Sequence, residues 1–131
     1  MKSNQVILYG ILVAILIGGL IYAREVSTPQ TSVPTSPHDS FAQCLSDAGA
    51  KFYGTFWCPH CKKQKELFQN SKKLPYIECS TPNGQGQLKI CADAGITSYP
   101  TWVFADSSQL SGKQTFENLS EKTGCAVPVT Q

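Results

Sequence analysis

Lys51-Phe52-Tyr53-Gly54-Thr55-Phe56-Trp57-Cys58-Pro59-His60-Cys61 is the stretch that decides how this chain folds. An aliphatic and aromatic run, Lys51 to Trp57, leads into two thiols three positions apart, and the residues after them can form a helix. That order predicts a strand delivering a redox dithiol to a helix N-terminus. One helical turn separates positions i and i+3, so both sulfurs fall on one face, close enough to bridge. Cys58 lies where unpaired backbone N–H groups and the positive end of the helix dipole favour a thiolate. Pro59 suits the first turn, where its missing N–H costs nothing. The thiolate is the species that attacks a disulfide, so the placement is chemical.

Outward from this stretch the pattern alternates. Ser40 is expected to cap a short helix, Phe41 to Ala48, that Gly49 ends. After the strand Lys51–Trp57, Pro59 to about Asn70 reads as a helix with lysines outward. Tyr76 to Cys79 reads as a strand, Ser80 to Gly86 as a loop, and Gln87 to Ala94 as a helix stopped by Gly95. Thr101–Ala105 and Gln109–Ser111 read as a hairpin. Thr115 caps a last helix, Phe116 to Thr123, with Gly124 behind it. The order α-β-α-β-α-β-β-α implies an α/β fold: a central mixed four-stranded sheet flanked by helices.

The N-terminal region differs in kind. Val6 to Ala23 is uncharged and dominated by Ile, Leu, Val, Gly and Ala. As a helix it would rise roughly 27 Å, close to a bilayer core of about 30 Å. The run exceeds the apolar part of a usual signal peptide, and Ile21-Tyr22-Ala23 is a poor cleavage site. Residues 1–23 are therefore expected to be one transmembrane anchor. Lys2 and the free amine before it favour an inside N-terminus and an extracytoplasmic remainder. Residues 24–40, rich in Ser, Thr and Pro, read as a tether. Residues 41–131 are then the folded domain.

The chain has 131 residues and a net charge of +2, too small to argue for nucleic acid. Its six cysteines suit a disulfide-permitting compartment. A zinc site would need two further ligands near Cys58 and Cys61, and no second Cys-x-x-Cys exists, so no metal is expected. A static Cys58–Cys61 bridge would close too small a loop to add much stability. No cofactor is called for beyond the dithiol itself.

The Cys-x-x-Cys after the first strand, Tyr99-Pro100-Thr101 before the third, and the element order resemble thioredoxin over residues 40 to 125. The strings Tyr53 to Cys61, Tyr76-Ile77-Glu78-Cys79 and Gly95 to Trp102 look like thioredoxin-like domains fused to, or working beside, vitamin K epoxide reductase homologues in bacteria and plastids. The Pro-His centre also resembles that of the DsbA oxidants. The resemblance implies that Cys58 is the nucleophile and Cys61 the resolving thiol. It implies a membrane reductase homologue as electron acceptor and exported protein thiols as substrates. It also implies a cis-proline at Pro100, with Tyr99 offering backbone groups to a client. Trp57 and Pro59 join them as the expected client surface.

His60, between the thiols, is expected to stabilise the Cys58 thiolate, and a stabilised reduced form makes a stronger oxidant. Thioredoxins carry a buried acid six positions before the first active cysteine. Phe52 stands there, which puts a thioredoxin-like base in doubt. The look-alike family also has cysteines at the positions of Cys79 and Cys91. A structural Cys79–Cys91 bridge is the preferred reading, with a second redox relay as its rival. Cys44 and Cys125 are left to staple the ends of the domain, or else stay as free thiols. The function expected is a membrane-anchored thiol–disulfide oxidoreductase donating disulfides. A tethered disulfide reductase and a non-catalytic peptide-binding module are the competing readings.

Overall fold

The computed structural model describes residues 5, 7–15 and 36–129. The chain divides into two units, residues 1–33 and residues 34–131. In the first, residues 7–15 are helical with exposed side chains. Among the described residues no helix is long and apolar enough to cross a membrane. Residues 1–4, 6 and 16–35, which hold the rest of the expected anchor and most of the tether, lie outside the described residues.

The second unit begins with α1, Pro37–Asp47. It starts four residues before the expected Phe41, because the cap is Ser36 and not Ser40. Ser36 Oγ accepts from Asp39 N at 3.0 Å, and Pro37 fills the first turn, where no N–H is needed. Then follow β1 (Lys51–Gly54), α2 (Pro59–Leu67), β2 (Tyr76–Glu78), α3 (Lys89–Asp93), β3 (Thr101–Val103), β4 (Gln109–Ser111) and α4 (Phe116–Thr123). The four strands lie in the order β2-β1-β3-β4. β1 pairs parallel with β2 and antiparallel with β3, and β3 pairs antiparallel with β4.

β1 is shorter than expected. It stops at Gly54, and Cys58 N donates to Thr55 O at 3.2 Å, turning the chain into α2. α2 also stops early, since Gln69 and Asn70 take positive φ of 52° and 55°. α4 matches its signals: Thr115 Oγ1 accepts from Asn118 N, and Gly124 closes the helix at φ 75°.

Strand alternation sorts the core into two sides. Phe52 on β1 stacks on Trp102 of β3 at 5.0 Å between centroids, and Phe68, Phe41, Leu45 and Leu119 pack in the same cluster. Tyr53, one residue on, packs with Cys79, Cys91 and Ile96 in a second cluster. α1 and α4 thus contribute to one cluster and α3 to the other. Phe52 is fully buried, so the position six residues before Cys58 belongs to the aromatic core.

Candidate active site

β1 and α2 place the dithiol. Cys58 occupies the N-cap of α2 with extended backbone (φ −74°, ψ 119°) and Pro59 follows in the first turn. Lys62 N donates to Cys58 O at 3.1 Å and closes that turn. Cys58 and Cys61 are both free thiols. Cys58 is 5% exposed and Cys61 is fully buried. The outer sulfur is therefore the one a second molecule can reach.

In front of Cys58 lies the loop before β3. The Tyr99–Pro100 peptide is cis. The Cys58 thiol donates to Tyr99 O at 3.8 Å, within the reach allowed for sulfur. Tyr99 is held from two sides. Gln87 Nε2 donates to its hydroxyl at 2.8 Å and to Ile96 O at 2.7 Å. The Trp57 ring meets the Tyr99 ring edge to face, 6.3 Å between centroids. Trp57 and Phe56 remain about half exposed, at 50% and 48%. Trp57 Nε1 donates to Ser80 Oγ at 3.0 Å, so an apolar rim beside the sulfur is fixed and not floppy. Pro59 and His60 are both exposed at the start of α2.

Behind Cys61 the site is narrow. A Cβ on Gly54 would stand 2.9 Å from Cys61 Sγ and 3.0 Å from Tyr76 Cε2. Only a glycine lets the strand pass between sulfur and ring. Burial pushes the Cys61 thiol up to about 12, and its hydrogen bond and charge coupling with Cys58 push the same way. The Thr55 backbone and the Lys65 charge oppose that rise. Lys65 Nζ sits 3.3 Å from the centroid of the Tyr76 ring. Tyr76 donates its hydroxyl proton to Glu78 Oε2 at 2.6 Å. Glu78 Oε1 accepts from Phe56 N at 3.2 Å and Ser80 N at 2.9 Å. Burial and the Glu78 bond hold the Tyr76 phenol well above its usual range.

The other four cysteines are bonded in two disulfides. Cys79 joins Cys91 across 12 positions, and Cys44 joins Cys125 across 81. The first closes the loop that carries Ser80 and Gly84. A Cβ on Gly84 would lie 3.7 Å from both Phe56 Cζ and Trp57 Cδ1, so this bridge supports the aromatic rim. Among the described residues no three His, Cys, Asp or Glu side chains converge as a metal site would need.

Of the residues singled out from sequence, Cys58, Cys61, Trp57, Pro59, His60, Tyr99 and Pro100 come together at one end of the sheet. Lys65, Tyr76, Glu78 and Gln87 were missed. Lys65 reads from sequence as one of the outward lysines of the helix, although its spacing of four from Cys61 puts it on the same helical face as the inner sulfur. Tyr76 and Glu78 become legible only from the parallel register, which sets them opposite Phe52 and Gly54.

No protein-family profile matches the chain. Over 102 residues it is 43% identical to thiol-disulfide oxidoreductase LTO1 of Arabidopsis thaliana, covering 72% of this chain and 27% of that protein. Over 73 residues it is 33% identical to probable protein disulfide-isomerase ER-60 of Schistosoma mansoni, covering 48% of this chain and 14% of that protein. The fold is thioredoxin-like. The chain is a relative of thiol–disulfide oxidoreductases. It spans about a quarter of the plant relative's length and less of the other. In this thioredoxin-like domain a thiol with 5% residual exposure stands at a helix start and a fully buried thiol one turn on, an arrangement compatible with thiol–disulfide exchange.

Proposed function

We propose that the protein is a membrane-anchored, extracytoplasmic thiol–disulfide oxidoreductase that donates disulfides to exported proteins and is reoxidised by a vitamin K epoxide reductase homologue. The observation that carries the oxidoreductase reading is the free Cys58–Cys61 pair at the start of α2, facing the Tyr99 carbonyl before a cis-proline, while the other four cysteines are bonded. The donating direction draws on His60 between the thiols and on Phe52 where a buried acid would stand. The anchor draws on the uncharged run Val6–Ala23. The electron acceptor draws on the sequence strings shared with domains that serve such reductases.

In the donating direction a client thiolate attacks Cys58 Sγ of the Cys58–Cys61 disulfide. The S–S bond breaks and Cys61 leaves with the electron pair. A second client thiolate then attacks the client sulfur of the mixed disulfide and expels Cys58. The client ends oxidised and the dithiol reduced by two electrons. The electron acceptor restores the bridge by taking both electrons from Cys58 and Cys61.

The test is the reduction potential of the Cys58–Cys61 pair in glutathione buffers, with disulfide transfer to a reduced peptide as companion. A potential between about −120 and −180 mV is expected. A value near −270 mV would mean a reductase. Cys58→Ser is expected to abolish transfer. Peptide binding that survives loss of both thiols, with no transfer by the wild type, would leave a binding module instead.

A further inference from the structure

Spacing along α2 places Lys65 one turn beyond Cys61, on the same face. Register along β2 places Tyr76 and Glu78 on the side of the sheet that Phe52 and Gly54 face. Gly54 is the meeting point, with the Cys61 sulfur and the Tyr76 ring against the space its missing side chain leaves. Lys65 Nζ rides on that ring at 3.3 Å. The ring is steered by Glu78, which is itself held by the backbone N–H groups of Phe56 and Ser80. A cleft of about 340 Å³ lined by Lys65, Lys72, Leu74 and Tyr76 opens from there to solvent. β1 supplies no charge to this space, since its Phe52 belongs to the aromatic core.

We propose that Lys65 is the electrostatic partner of the Cys61 thiolate, with Tyr76 and Glu78 as positioning residues that hold its ammonium behind the dithiol. The proposal rests on the exchange reading above. When a client thiolate attacks Cys58 Sγ, Cys61 departs as an anion at a fully buried position. The Lys65 charge over the Tyr76 ring favours that anion. In the resolving direction the same charge favours the Cys61 thiolate that attacks the mixed disulfide. The ionisable groups around Cys61 are Cys58 and Lys65 from α2, and Tyr76 and Glu78 from β2. Burial lowers the proton affinity of Lys65, with Glu78 and Cys61 working against that. The quadrupole of the Tyr76 face keeps the ammonium in place without neutralising it.

The test mixes the reduced full-length chain with 5,5′-dithiobis(2-nitrobenzoate). The first nitrothiolate leaves as Cys58 attacks. The second leaves when Cys61 resolves the mixed disulfide, a step independent of reagent concentration. Lys65→Met, which keeps an apolar arm over Tyr76, is expected to slow the second release about three- to tenfold near neutral pH and to move its pH midpoint upward. Lys65→Arg is expected to restore most of the rate. A second phase equal to wild type in Lys65→Met, or Lys65→Arg as slow as Lys65→Met, overturns the proposal, because packing without charge would then suffice. Should Lys65→Met fail to fold, Lys65→Gln reads the same charge loss. If the wild type itself shows no second release, matching Cys61→Ser, the exchange reading falls with it. A normal wild-type release with an unaffected Lys65→Met removes only the role of Lys65.

Discussion

Three cysteine pairs share this small domain, and they differ in everything except their chemistry. Cys58 and Cys61 lie one helical turn apart, beside a carbonyl on one side and a lysine-bearing aromatic pocket on the other. Cys79–Cys91 and Cys44–Cys125 join separate elements, in loops of 12 and 81 positions. Chain entropy explains the division of labour. A bridge closing a long loop restrains the unfolded chain strongly, whereas a bridge across two intervening residues restrains it hardly at all. The long-range pairs are suited to holding the fold, and the short pair can open and close at little cost to it.

Breaking the longest staple tests that contrast most severely. Replacing Cys44 and Cys125 together by Ser is expected to cost about 4–5 kcal/mol in denaturant unfolding. The release of nitrothiolate by the dithiol should survive below the unfolding midpoint. A loss of dithiol chemistry in the still-folded double variant would mean that the pair is more than a staple.

The shorter staple should give a smaller loss with a different signature. Cys79→Ser with Cys91→Ser is expected to cost about 2–3 kcal/mol. It also frees the loop that holds Trp57 through Ser80, so the rate with a peptide client should fall more than the rate with a small aryl disulfide. Equal effects on both substrates would detach the bridge from the aromatic rim.

The effect that is smallest near neutral pH concerns the short pair. Burial raises the folded Cys61 thiol from 9.0 to about 12. Between those values the unfolded chain has released a proton that the folded chain still holds. Stability of the reduced protein therefore falls as pH rises through that window and is intact below it. The oxidised protein has no such thiol. Subtracting its pH profile from that of the reduced protein should isolate the fall, and Cys61→Ala should flatten it. Parallel profiles for the two redox states would remove burial of Cys61 as the cause.

The contrast between the pairs also marks what could be read from sequence. The dithiol motif, its strand and helix, and the order of elements were legible because hydrophobic runs, caps and glycines are local signals. The start of α1 was misjudged because Ser36 and Ser40 are both plausible caps, and only the hydrogen bond to Asp39 N distinguishes them. The back of the site was invisible for another reason. Lys65, Tyr76 and Glu78 meet only through the parallel pairing of β1 with β2 and through the space left by Gly54. A lysine on an amphipathic helix looks solvated until one knows what its neighbour strand presents.

The Cys44–Cys125 bridge has a mechanical meaning as well. It ties the first helix to the segment after the last, with 5.9 Å between the two Cα atoms. Tension applied to the flanks of the domain passes straight across this bond and bypasses the sheet. Only the residues outside the loop can extend. A domain pulled at both ends would keep its sheet, and with it the dithiol, under load.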